Sequence, residues 1–128
     1  MGLNDVAGLQ HDETVHLDPD KLGALYRDLG PRQTEVVLTR ALEEIGQRIE
    51  ALPEPYQEGR WAELARRARS LIAIADQIGM SKLARVAGDV AICAERCEAP
   101  ALGACLARLD RIAQNSLAAI YDMANIGG

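Results

Sequence analysis

The stretch that decides the fold is Trp61-Ala62-Glu63-Leu64-Ala65-Arg66-Arg67-Ala68-Arg69-Ser70-Leu71-Ile72-Ala73-Ile74-Ala75-Asp76-Gln77-Ile78-Gly79. Trp61, Leu64, Ala68, Leu71, Ala75 and Ile78 recur three or four residues apart, which puts them on one side of a helix running from about Arg60 to Ile78. Gly79 follows directly, a residue suited to the left-handed conformation that closes many helices. The remaining side of this helix is unusual: Arg60, Arg66, Arg67 and Arg69 crowd it against a single Glu63.

Outward from this segment, the same periodicity repeats. Ser81 is placed to cap a following helix whose inner line is Leu83, Ala87, Val90, Ala94 and Cys97. Glu98-Ala99-Pro100 separates it from another helix, about Pro100 to Ala124, with Leu102, Leu106, Leu109, Ala113, Leu117, Ile120 and Ala124 turned inward. On the N-terminal side, Pro53-Glu54-Pro55 breaks the pattern, and Tyr56-Gln57-Glu58-Gly59 completes the connection with room for one irregular turn. Before it, Val37, Ala41, Ile45, Ile49 and Leu52 line a helix from about Pro31 to Leu52, with Gly46 in its middle marking either close packing or a tolerated weakness. Asp18 caps a shorter helix that begins at Pro19, carries the stripe Leu22, Leu25, Tyr26 and Leu29, and stops at Gly30-Pro31. Residues 1–16 are polar, lack a sustained period and read as a flexible tail holding both histidines, His11 and His16. The expected fold is all-α: an antiparallel up-down four-helix bundle over residues 17–128, with the short first helix as a lid.

Composition agrees with that reading. The 128 residues make one domain, large enough to bury a core without disulfide or metal staples. Aromatic residues are few and Phe is absent, which suits a Leu/Ala-rich bundle better than a sandwich or barrel. The net charge of −5 argues against wrapping a nucleic-acid backbone. No apolar run reaches the roughly 18 residues a membrane-spanning helix needs. Met1-Gly2-Leu3-Asn4-Asp5 does not open a secretory signal, and the three cysteines are an odd number, so a cytoplasmic chain with reduced thiols is expected.

Few residues offer chemistry. Cys93 and Cys97 are four apart and meet the spacing of a metal pair, but both prolong an apolar line, and Cys105 sits among Leu102, Leu106 and Leu109. All three read as small buried hydrophobes, and no metal or cofactor is expected. A thiol-based redox role for them would require accessible sulfurs. His11 and His16 have no Cys or carboxylate set beside them at a recognised spacing, and Glu35, Glu43 and Glu44 read as a solvated face. Arg66, Arg69, Ile72, Ala73 and Asp76 share the outward face of the arginine-rich helix and form the candidate partner-binding surface, with Ile72 as an apolar residue on a face that should be wet.

At this helix the chain resembles the histidine-containing phosphotransfer (HPt) domain of bacterial two-component phosphorelays. The resemblance spans about residues 17 to 123, from Leu17-Asp18-Pro19 onward, and centres on Ala65-Arg66-Arg67-Ala68-Arg69-Ser70-Leu71-Ile72-Ala73 with Ile78-Gly79-Met80 beyond. Family members read Ala-His-Ser/Thr-Leu-Lys-Gly here; Ala68, Ser70, Leu71 and the Ile78-Gly79 turn fit without a gap. The departures fall on the chemistry. Arg69 takes the place of the phosphoryl-accepting histidine, Ile72 that of the lysine, and Ala73 that of the glycine. A guanidinium stays protonated and is no nucleophile, whereas neutral imidazole is one.

The resemblance therefore implies a non-phosphorylatable module, not an enzyme, that docks a response-regulator receiver domain or a histidine kinase as a monomer or weak homodimer. Two alternatives stand beside it: an active phosphotransfer protein that uses His11 or His16, and a homodimeric helical scaffold that buries Ile72.

Overall fold

The computed structural model describes residues 18–127. It is all-α, with four long helices packed against one another and no β-strand among the described residues. The elements are α1 (Pro19–Glu50), α2 (Pro53–Gln57), α3 (Trp61–Gln77), α4 (Ser81–Glu95) and α5 (Ala99–Gly127). His11 and His16, and the tail expected over residues 1–16, lie outside the described residues.

α1 begins as its sequence dictates. The Asp18 carboxylate accepts the Asp20 N–H at 2.9 Å, and Pro19 occupies the first turn, where its missing N–H costs nothing. Gly30 then takes φ 79°, ψ 168°, a conformation essentially reserved for glycine, and Pro31 cannot donate backward. The two parts of α1 therefore meet at an elbow. The Thr34 hydroxyl, fully buried, spans it by donating to the Leu25 carbonyl at 3.0 Å.

The first part of α1 is anchored by polar contacts more than by its apolar stripe. The Asp18 N–H donates to the Gly79 carbonyl at 2.7 Å, and Lys21 Nζ donates to the Asp76 carbonyl at 2.8 Å. Of the expected stripe, Leu22 and Leu25 are half-buried, whereas Tyr26 and Leu29 are each 42% exposed. Periodicity made one face apolar; among the described residues too little lies beneath it to cover its far end.

Beyond the elbow, α1 packs on α3 and α5, α3 packs on α4, and α4 on α5, which closes the four-helix arrangement. The α3–α4 pair has the most extensive contact. Its seam is made of small residues: Ala65, Ala68 and Ala75 from α3, with Ala84, Ala87, Ala91 and Ala94 from α4, are all buried. Leu64, Leu71, Ile78, Leu83, Val90, Leu102, Leu109 and Ile112 fill the centre. In α1, Ala41 and Ile45 are buried as expected and Leu42 joins them, with Val37 and Ile49 half-buried at the edge; Leu52, expected to end this helix, is buried just beyond it as the N-cap of α2. Leu106 is likewise half-buried, while Leu117, Ile120 and Ala124 lie outside the described side chains. A Cβ at Gly46 would meet nothing within 4 Å, so no close helix approach explains that glycine.

Two expectations at helix ends change. Pro53-Glu54-Pro55 opens a short helix, α2, rather than an irregular turn. Ser81 does not cap α4: the N-cap is Met80, with no side-chain cap, and Ser81 is the first helical residue. The α3 stop explains this. Gly79 N–H donates to Asp76 O (3.1 Å) and Met80 N–H to Ala75 O (2.8 Å), a paired closure in which Met80 is drawn into the core. Since Met80 O already accepts the Ala84 N–H, one residue both ends α3 and starts α4.

Candidate functional site

Arginines on α3 and at its N-cap begin the site, and the fold gives each of them a carboxylate. Arg60 bonds Glu54 (2.8 Å) and Glu58 (3.0 Å), both from the connection that precedes α3. Arg67 donates to Glu63 (2.7 Å) and to the Ala51 carbonyl (2.6 Å), which ties α3 to the end of α1. Arg66 bonds the other oxygen of Glu63, and Arg69 reaches across to Glu95 on α4. The expected basic patch is therefore charge-compensated, because Glu54, Glu58 and Glu95 come to it through the fold.

These pairs shift the charge equilibria in consistent directions. Hydrogen bonds from Arg66 and then Arg67 hold the Glu63 carboxyl below its usual range. The hydrogen bond that Arg69 donates to Glu95 further favours its protonated guanidinium. The Arg69–Glu95 pair faces solvent, so it directs the side chain more than it stabilises the fold.

The five residues expected on one docking face divide in two. Arg66, Arg69, Ala73 and Asp76 are exposed along α3, and the Arg66 and Arg69 side chains are 74% and 49% accessible. Ile72 is not a wet apolar residue. It is half-buried against the core, and a Cβ added at Gly88 of α4 would lie 3.8 Å from its Cδ1. The absence of a side chain on α4 makes the space that Ile72 leans over, a pairing that single-helix periodicity does not reveal. Asp76 also has a structural task, since its carbonyl receives both Lys21 and the Gly79 N–H. Gly79 holds φ 81° as expected, and a Cβ there would stand 3.2 Å from the Asp18 backbone.

Arg66 and Arg69 border a shallow groove of about 430 Å³ that the sequence did not disclose. Trp61 and Ala65 join them from α3, while Ala94, Glu95 and Cys97 form the opposite wall at the end of α4. The Trp61 indole nitrogen is buried there with no hydrogen-bond acceptor among the described residues. Cys97, expected on the inner line, is instead exposed with φ 57°. It occupies the left-handed position after α4, where Cys97 N–H donates to Ala94 O (3.2 Å) and Glu98 N–H to Cys93 O (3.0 Å). α4 ends at Glu95, two residues short of Cys97, so its inner line does not reach that side chain. Cys93 and Cys105 are half-buried rather than sealed in the core.

Among the described residues no group of three or more His, Cys, Asp and Glu side chains could hold a metal ion, and no helix is long and apolar enough to cross a membrane. No family model matches the chain, and neither a curated protein nor a solved structure matches it.

Proposed function

We propose that this chain is an HPt-like signalling module without a phosphoacceptor, which docks a receiver domain or histidine kinase through the outer face of α3. The observation that carries the reading is the position of Arg69. It lies in the middle of an exposed helical face of a four-helix bundle, at the residue where the resemblance calls for the accepting histidine. Its guanidinium is permanently charged and cannot take up phosphoryl. It is instead suited to the acidic pocket in which a receiver carries its phosphoryl group, with Arg66 beside it.

Glu95 gives this docking surface a resting state. With no partner present, Arg69 is held by Glu95 across the groove; an acidic partner competes for the same guanidinium. Because the pair is solvent-exposed, exchanging one carboxylate for another demands little. Ala73 and the groove wall at Ala65 add apolar surface beside the charges.

The test is calorimetric titration of purified receiver domains and kinase dimerisation domains with the wild-type chain and with Arg69→Ala. Binding by the wild type that is weakened in Arg69→Ala supports the reading; equal affinities would remove Arg69 from the interface. Incubation with a phosphorylated receiver tests the rival chemistry. An acid-labile phosphoryl group appearing on His11 or His16 would replace the proposed module with an active carrier.

A further inference from the structure

The Sγ atoms of Cys93 on α4 and Cys105 on α5 lie 3.9 Å apart, and both side chains are half-buried. Both pack against the edge of the core without being sealed in it, and their sulfurs face each other from different helices. We propose that Cys93 and Cys105 are an oxidative modification site, forming a reversible disulfide that fastens α4 to α5. This stands on the thiol geometry and does not depend on the docking reading.

A disulfide has its sulfurs about 2.05 Å apart, so closure requires roughly 2 Å of approach between thiols on helices already in contact. Half-burial leaves both sulfurs reachable by a small oxidant such as hydrogen peroxide. One thiolate attacks a peroxide oxygen; the O–O bond breaks, hydroxide leaves and takes up a proton, and a sulfenic acid remains. The second thiolate attacks that sulfur, the S–S bond forms, and the sulfenic oxygen leaves as water. In total two thiols and one peroxide give one disulfide and two waters: each sulfur loses one electron, and each peroxide oxygen gains one.

Burial and the adjacent Cys93 push the Cys105 thiol above its ordinary range, with Asp89 acting in the same direction and Arg108 against it. A smaller thiolate fraction at Cys105 slows its own attack at neutral pH. The exposed Cys97 is the natural site for competing links between two chains.

Cys97→Ser removes that competition. Its folding is checked by far-UV circular dichroism, and it is then treated with hydrogen peroxide. The expected result is loss of two hydrogens in the intact mass and, after trypsin, a linked pair of peptides 86–96 and 97–108. The melting temperature should rise by about 5–10 °C, the effect of closing a short loop, and return on reduction with dithiothreitol. Wild-type protein cut with trypsin and a glutamyl endopeptidase gives the same answer without the substitution, because Cys93 and Cys105 then lie on 86–95 and 99–108. Addition of oxygen at either cysteine without a link, or unchanged mass, would overturn the proposal.

Discussion

Glu95, in the last turn of α4, is bonded through Oε2 to Nη2 of Arg69 in the middle of α3. The pair crosses the groove whose walls those two helices form, so the residue proposed to meet a partner is oriented by its neighbour before any partner arrives. Glu95→Gln should remove the competing charge while keeping the shape. If docking runs through Arg69, this variant should bind an acidic receiver pocket several-fold more tightly than wild type, while Arg69→Ala should bind on the order of tenfold more weakly. Isothermal calorimetry at two salt concentrations would check both, and the difference between the variants should shrink at the higher one.

Three glycines should respond to alanine with different signs. Gly46 lies within α1 with open space around it, so Gly46→Ala should stabilise the fold by about 0.5–1 kcal/mol. Gly30 also has space, but its φ of 79° and ψ of 168° leave alanine strained, and Gly30→Ala should cost about 1–3 kcal/mol. Gly79→Ala should cost the most, because alanine there meets both positive φ and the Asp18 backbone at 3.2 Å. Urea unfolding of the three variants would establish the order.

Cys97 is the single non-glycine residue with positive φ among the described residues. Its place at the end of α4 is the one glycine commonly fills. Cys97→Gly should therefore raise stability by about 1 kcal/mol, read as a higher urea midpoint with unchanged slope. A decrease would mean that the Cys97 side chain contributes more to the groove than its exposed position indicates.

Acid should loosen the contacts around Glu63. Its pKa in the folded chain is depressed, chiefly by the Arg66 hydrogen bond and then by Arg67. A depressed carboxyl contributes stability above its ordinary value of 4.5 and loses that contribution as pH falls through the folded value. Glu63→Gln should thus be less stable than wild type near neutral pH, and the two curves should converge as pH falls below 4.5 and through the depressed folded value. Chemical denaturation across that range is the measurement; a constant gap would assign the effect to shape instead of charge.

Local signals made much of the fold legible before any coordinates. Asp18-Pro19, Gly30-Pro31 and Ile78-Gly79 each announce a helix start or stop through the conformational preferences of one or two residues, and each holds. The inner line of α3 was readable because a helix imposes a fixed angle between neighbours. Whatever depended on a second helix was not readable. Arg69 and Glu95 are far apart in the chain, as are Ile72 and Gly88, and no periodicity links them. Tyr26 and Leu29 show the same limit from the other side: an apolar stripe states what a helix could bury, not whether anything lies there to bury it. Ser81 misled because the α3 closure had already drawn Met80 into the cap position.

The wall of the groove holds the chain's one tryptophan, with its indole N–H buried and without an acceptor among the described residues. This makes the protein its own optical probe. Indole emission is sensitive to the polarity around the ring and to what its N–H meets. An occupant that brings an acceptor to Trp61, or covers it, should change the colour and intensity of that emission with no label attached. Because no second tryptophan contributes background, an emission titration would follow whether this end of the bundle is empty or engaged, and at what concentration it fills.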